Sequence, residues 1–262
     1  MESEFDHEDL SQNTYNSLMR KVGVIVEARM TSTRLPGKHL LECRGIPMIT
    51  RLIARLKSID CISEIVIATT VNRTDDPLVE TVKRDGVTVF RGSENNVMGR
   101  VLHAAVSSSL DVICEITGDC PVVDIKLSKN AINTFLSSEA DYLNNSTFGL
   151  PDGIGCQVFS TAALENSYRL TNNKLDFEHV TSHIIRSPTL FSCVYPETPN
   201  SLSWPELSLS LDELTDFEVL SELICSLEDD NPTFGAEDII KFFKSRPDLV
   251  RKSTGVYRRG YE

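Results

Sequence analysis

The chain has 262 residues, of which 40% are hydrophobic and 24% charged, and it carries a formal net charge of −12. That is enough apolar material for one large α/β domain or two small ones. An acidic chain without a clustered Lys/Arg run excludes a nucleic-acid surface, which needs a basic face, and no apolar run approaches the roughly 20 residues of a membrane span.

In chain order, residues 1–20 form an acidic leader, with Glu2, Glu4, Asp6, Glu8 and Asp9 against Arg20, and read as disordered. The leader lacks the basic-then-apolar order of a signal peptide. The seven cysteines are odd in number and scattered, with no CxxC pair, so reduced thiols and a cytoplasmic location are expected rather than a disulfide framework or a zinc site. Residues 21–250 read as one domain. Its first apolar run, Val24-Ile25-Val26, predicts a buried parallel strand. A helix is predicted over Pro47–Ser58, a strand over Ile62–Thr70, a helix capped by Asp75-Asp76-Pro77 and ending near Gly86, and a strand over Val87–Phe90. A helix over Val97–Val106 leads to a strand over Asp111–Thr117, which runs into Gly118-Asp119-Cys120-Pro121; residues 125–138 are helical and Asp141–Leu143 a short strand. The pattern is irregular between about 144 and 200: a turn at Pro151-Asp152-Gly153, a strand-to-helix step over Val158–Arg169 and a helix over Phe177–Arg186. This stretch is expected to be an inserted dimerisation arm or lid. A strand over Leu207–Leu211, helices over Asp216–Leu227 and Ala236–Phe243, and a tail over 251–262 complete the chain.

Strands alternating with helices through short connections predict a three-layer α/β/α fold around a mostly parallel twisted sheet. Ligands on such sheets sit beyond the carboxyl ends of the strands, where loops 29–38, 69–76, 91–96 and 118–124 would gather. The first of these loops holds Arg29, Ser32, Arg34 and Lys38. Three cations so close together repel unless something anionic lies among them, and Arg and Lys suit phosphate as bidentate and point-charge partners. A nucleoside triphosphate meets that demand, although neither GxxxxGK[ST] nor GxGxxG occurs; a solvated basic loop is the plain alternative. Asp119 and Asp212 each follow a predicted strand, so both carboxylates could reach the same edge and share a Mg²⁺ ion. Taken singly, Asp119 also reads as a turn residue and Asp212 as a cap for the next helix. His179 and His183, four apart on a predicted helix, have a chelating spacing but no HExxH context or third ligand, and read better as substrate-contacting or buried. Cys120 reads as a packed thiol rather than a nucleophile. Arg91-Gly92-Ser93-Glu94 and Arg100 could touch a base or ribose, or could be a turn and a surface Arg.

Ala28-Arg29-Met30-Thr31-Ser32-Thr33-Arg34-Leu35-Pro36-Gly37-Lys38 resembles the A-R-x-G-S-x-R-L-P-G-K signature of cytidylyltransferases that activate acidic sugars, the CMP-Kdo and CMP-sialic acid synthetase group. Ala68-Thr69-Thr70, Phe90 to Glu94, Ile116 to Pro121, Pro151-Asp152-Gly153, Glu178 to Thr181 and Leu211 to Glu218 resemble, in order, the blocks of its spore-coat-polysaccharide (SpsF-type) branch. The resemblance runs from about residue 21 to about 245 and implies a nucleotide-diphospho-sugar transferase-like fold. It implies transfer of CMP from CTP to an acidic sugar with release of pyrophosphate, for surface polysaccharide or glycan synthesis, by a homodimer that uses Mg²⁺.

On that resemblance, Arg29, Arg34, Lys38 and Asp119 would be catalytic, and Ala28, Arg29, Ser32, Lys38, Thr69, Thr70, Arg91 and Ser93 would hold the nucleotide. Asp119 and Asp212 would bind Mg²⁺, and Asp152, Glu178, His179 and Arg186 would lie near the acceptor. Thr31, Glu27 and Val71 depart from the pattern, where Gly, Gln and Asp are usual. Two rival readings follow: a CTP-binding module with weakened turnover, and a sugar-nucleotide-dependent glycosyltransferase, against which stands the lack of D-x-D at Asp119-Cys120-Pro121.

Overall fold

The computed structural model describes residues 20–146 and 149–254; the expected leader before Arg20 and the tail beyond Thr254 lie outside the described residues. Alternation of side chains along extended backbone gives each central strand two buried faces. In β1 (Val22–Glu27), Val24 and Val26 join one apolar cluster while Ile25 joins another. Strands β2 (Glu42–Cys43) and β3 (Ile46–Pro47) form a separate ribbon ahead of α1 (Met48–Leu56). Then come β4 (Glu64–Thr70), α2 (Asp76–Arg84), β5 (Thr88–Gly92), α3 (Val97–Ser107), β6 (Val112–Thr117), α4 (Ile125–Leu136), β7 (Tyr142–Asn144) and β8 (Gln157–Ser160). The remainder is α5 (Thr161–Leu170), α6 (Lys174–Glu178), α7 (Ser182–Arg186), β9 (Cys193–Val194), α8 (Leu214–Leu227), α9 (Ala236–Ser245) and α10 (Pro247–Thr254).

Seven strands pair in the order β5-β4-β1-β6-β8-β7-β9, and only β8 runs against its neighbours. Ile49, Leu52 and Leu56 of α1, Leu78 and Val82 of α2, and Ile132 and Phe135 of α4 pack on the face bearing Val24 and Val26. Met98 and Val101 of α3, Leu164 of α5 and Ile184 of α7 cover the face bearing Ile25. This is the three-layer architecture that the alternation predicts. No described helix is long and apolar enough to cross a membrane.

Three expectations need correction. Leu207–Leu211 is extended but is not a strand of the sheet: it makes an isolated parallel bridge between Asp152 and Ser208, and Leu211 N donates to Asp119 O at 2.8 Å. Alternating Leu and Ser specify an extended backbone, not its partner, and Leu207, Leu209 and Leu211 turn into a third apolar cluster with Val219, Leu223, Ile239 and Phe243 of α8 and α9. The helix expected over Phe177–Arg186 is two short ones. Val180 is drawn into the core and Thr181 Oγ1 donates to Gln157 Oε1 at 2.7 Å, contacts that outweigh local helical preference. The stretch from 144 to 200 supplies β8 and β9, so it is woven into the sheet rather than wholly inserted beside it. In addition, α10 runs across residue 251, the expected start of the tail.

Candidate active site

From β1 the chain moves outward through β4 to β5, then returns to place β6 on the other side of β1. The loops leaving β1 and β6 therefore start side by side at the sheet's topological switch point, where α/β folds take their ligands. The loop after β1 is closed by Gly37, whose φ of +73° suits a residue without Cβ and whose N–H donates to Met30 O at 3.0 Å. Lys38 then opens a 3-10 turn, Lys38–Leu40, and is buried. The neighbouring loop is fastened by Gly118 N to Glu27 O at 2.8 Å and by the His39 Nδ1–H, which donates to Gly118 O at 3.1 Å. Burial pushes the His39 imidazole down to about 4, so it is neutral near pH 7.

Four charged residues that the sequence spreads over most of its length meet here. Lys38 Nζ donates to Asp119 Oδ2 at 2.6 Å and to Asp212 Oδ1 at 3.0 Å, and Arg34 Nη2 lies 2.8 Å from the same Asp212 oxygen. Burial disfavours a charged Lys38, but the two aspartates outweigh it and raise its pKa above the ordinary value. Burial likewise opposes ionisation of Asp119, yet Lys38, the Thr117 hydroxyl and His39 hold its carboxyl below the usual range. Asp212 does not cap α8: Glu213 and Asp216 form the capping box, and Asp216 Oδ2 accepts from Asp212 N at 3.0 Å, leaving the Asp212 side chain for Lys38 and Arg34. The 207–211 segment that carries it is pressed against Gly153, φ +87°, where a Cβ would come within 2.8 Å of the Leu209 backbone. The donor set suits Mg²⁺, which is commonly held by one or two carboxylates and completes its shell with water and phosphate. Among the described residues no group of three His, Cys, Asp or Glu side chains could hold a metal, and His183 Nδ1 instead lies 3.0 Å from Ser167 Oγ.

The expected nucleotide residues divide. Thr69 and Thr70 are fully buried and do not present their hydroxyls to a ligand. Both hydroxyls donate to Asp75 Oδ2, at 2.9 and 2.5 Å, while Asp75 Oδ1 accepts Met30 N at 2.8 Å. A buried carboxylate must be satisfied by donors, so the expected helix cap at Asp75 is instead the anchor of the loop after β1. Arg91 is similarly engaged, donating to Thr70 O at 2.8 Å, Asn72 O at 2.7 Å and Asp76 Oδ1 at 2.7 Å. Ser93 Oγ accepts Asn96 N at 3.2 Å, and Arg100 is buried against Ala68 O and Ser93 O. Ala28 is buried beside Gly118, Ser32 is half-buried in the loop, and Arg29 pairs with Glu94 rather than with the Lys38 group. The three cations are thus matched by carboxylates of the chain itself, which is how their repulsion is relieved without a ligand.

Of the expected acceptor residues, Asp152 is exposed and accepts Ser208 Oγ at 2.9 Å; Glu178 and His179 are exposed at the end of α6. Arg186, at the end of α7, is anchored by the buried Asp176. Sequence reasoning missed Asp75 and also the buried Glu115, which lies opposite Ile25 on the face that bears Glu27. Burial and the neighbouring Glu27 push the Glu115 carboxyl well above the usual range, and among the described residues one oxygen of each glutamate is buried without a hydrogen-bond partner. The available signal was an acid inside an otherwise apolar strand.

A mostly parallel sheet with paired cations and aspartates gathered at its switch point is the arrangement of a nucleotidyltransferase. The chain matches the sequence profile described as cytidylyltransferase over residues 23–246 and belongs to that family. It is 30% identical over 237 residues to the spore coat polysaccharide biosynthesis protein SpsF of Bacillus subtilis, covering 88% of this chain and 98% of that one. It is 32% identical over 114 residues to a 3-deoxy-manno-octulosonate cytidylyltransferase of Geobacter metallireducens, covering 43% of each. Its fold is similar, with a TM-score of 0.84 and 29% identity, to a cytidylyltransferase structure from Leptospira borgpetersenii, covering 91% of this chain and all of that one.

Proposed function

We propose that the chain transfers CMP from CTP to a hydroxyl of an acidic sugar, releasing pyrophosphate, in the synthesis of a surface polysaccharide or glycan. The observation that carries this reading is the Lys38 ammonium lying between Asp119 and Asp212, with Arg34 on the same Asp212 oxygen. Such a group can exchange partners: phosphate oxygens would draw Lys38 and Arg34 away from the carboxylates, and Asp119 and Asp212 would then hold Mg²⁺, which when bound offsets phosphate charge. The acceptor oxygen forms its bond to the α-phosphorus as the bond to the β-phosphate bridging oxygen breaks, and the hydroxyl proton passes to solvent as pyrophosphate leaves. Arg34 and Lys38 stabilise the charge that accumulates on the α-phosphoryl and leaving oxygens, an interaction stronger in the transition state than before it. The acidic acceptor is supported by the likeness of residues 28–38 to the sugar-acid signature and by the octulosonate relative.

Pyrophosphate release from each nucleoside triphosphate, assayed against a panel of acidic sugars, tests the reading. One productive pair, with CTP as donor, is the expected result. Asp119→Asn should lower its rate on the order of 10²-fold; an undiminished rate would refute the role given to Asp119.

A further inference from the structure

One carboxylate ties together three of the loops at this edge of the sheet. Glu94, after β5, accepts Thr31 Oγ1 from the loop after β1 at 2.7 Å and Asn72 Nδ2 from the loop after β4 at 2.7 Å, and it pairs with Arg29 Nη1 at 3.2 Å. Thr31 and Arg29 share its Oε1 and Asn72 takes Oε2, so the two neutral donors fix the carboxylate in place and leave its charge to the guanidinium. The same two donors hold the Glu94 carboxyl below its usual range. Arg29 is bonded to protein, among the described residues, through that one nitrogen, and its side chain is 41% exposed. A guanidinium has five N–H donors, so one held this way is oriented while most of its donors remain for an anion.

Resting on the CTP reading, we infer that Glu94, itself held by Thr31 and Asn72, is a positioning residue that presents Arg29 to the polyphosphate of the nucleotide. Ordering a long side chain costs entropy when it happens at binding; here Glu94 already holds one Arg29 nitrogen in the folded chain, which lowers that cost. Thr31, which stands where the family signature carries Gly, belongs to this device, because glycine could make no such bond.

The test is calorimetric titration of the full chain with CTP and, separately, with inorganic tripolyphosphate, each with Mg²⁺, alongside KM and kcat for CTP. Thr31→Val should weaken both ligands about fivefold, the worth of one net hydrogen bond, while Thr31→Ser restores binding to within about twofold. Glu94→Gln should weaken both about tenfold, raise KM with kcat nearly unchanged, and add nothing in an Arg29→Ala background. Unchanged or tighter binding in Glu94→Gln, or an equal loss when Arg29 is already absent, would overturn the proposal. Should Glu94→Gln not fold, unaltered binding by Thr31→Val would overturn it alone. Wild-type chain that holds tripolyphosphate but not CTP would refute the cytidine reading and leave the Arg29 inference standing, to be decided by the same variants.

Discussion

Lys38 is held charged by the aspartates it is buried against, whereas burial keeps its neighbour His39 neutral near pH 7. The depressed Asp119 carboxyl contributes stability that is present above the ordinary carboxylate range and lost as pH falls through its lowered value. The raised Lys38 contributes stability that is present below 10.5 and lost as pH climbs through its raised value. His39 adds a third slope. Its pKa falls from 6.5 to about 4 on folding, so the unfolded chain binds more protons between those values and stability declines as pH drops across them, by roughly 3 kcal/mol in total. Urea denaturation at steps between pH 7.5 and 4 should show this loss, and His39→Gln, which can still donate to Gly118, should flatten it. A variant as acid-sensitive as wild type would mean that other groups carry the slope. Residue chemistry was legible in the sequence to the extent that Arg34, Lys38 and Asp119 stood out as ionic. That each cation already has a carboxylate partner could not be read there, because close spacing along a loop says nothing about which distant acids fold against it.

The element that decides the site is the extended segment 207–211, which is held by the turn at 151–153, by Asp119 O and by the apolar cluster under α8 and α9. Gly153 lets this segment lie against the turn at 151–153; a methyl there would both strain a backbone at φ +87° and meet the Leu209 carbonyl carbon at 2.8 Å. Gly153→Ala should lower unfolding free energy by on the order of 2 kcal/mol and also reduce turnover, since displacing Leu209 displaces Asp212. Gly45→Ala, at φ +75° with nothing within 4 Å of the new atom, should cost about 1 kcal/mol and leave turnover unchanged. Equal effects of the two substitutions on rate, in urea melts paired with initial velocities, would separate Asp212 from Gly153. Elements of the central sheet were predictable in kind because strands such as residues 65–68 are continuous apolar runs between turn signals. The 207–211 segment has a period, but no local feature names its partner. The break between α6 and α7 was not legible at all, because Gln157 and the core that claim Thr181 and Val180 lie far away in the chain.

At the scale of the molecule, the loops after β1, β4, β5 and β6 and the turn before α8 converge on one edge, where Asp75, Glu94 and Lys38 already link them, so a nucleotide held there would add contacts among loops that the folded chain has brought together. A ligand that binds the folded chain alone stabilises it by about 2.7 kcal/mol at a hundredfold excess over its Kd. CTP with Mg²⁺ should therefore raise Tm by several degrees, and more than CTP or Mg²⁺ separately; an equal rise with ATP or GTP would remove selectivity for cytosine.

The amino-acid sequence by itself determined the alternation of strand and helix, the mostly parallel sheet, the edge where loops gather and the cationic character of residues 29–38. These properties depend on side-chain period and residue type within a few positions. Tertiary structure alone decided that Lys38 meets Asp212, 174 residues away, that Asp75 takes the Met30 N–H, and that Glu94 takes Arg29. Such pairings are chosen by strand order and by packing around buried charge, and no local stretch of chain contains either.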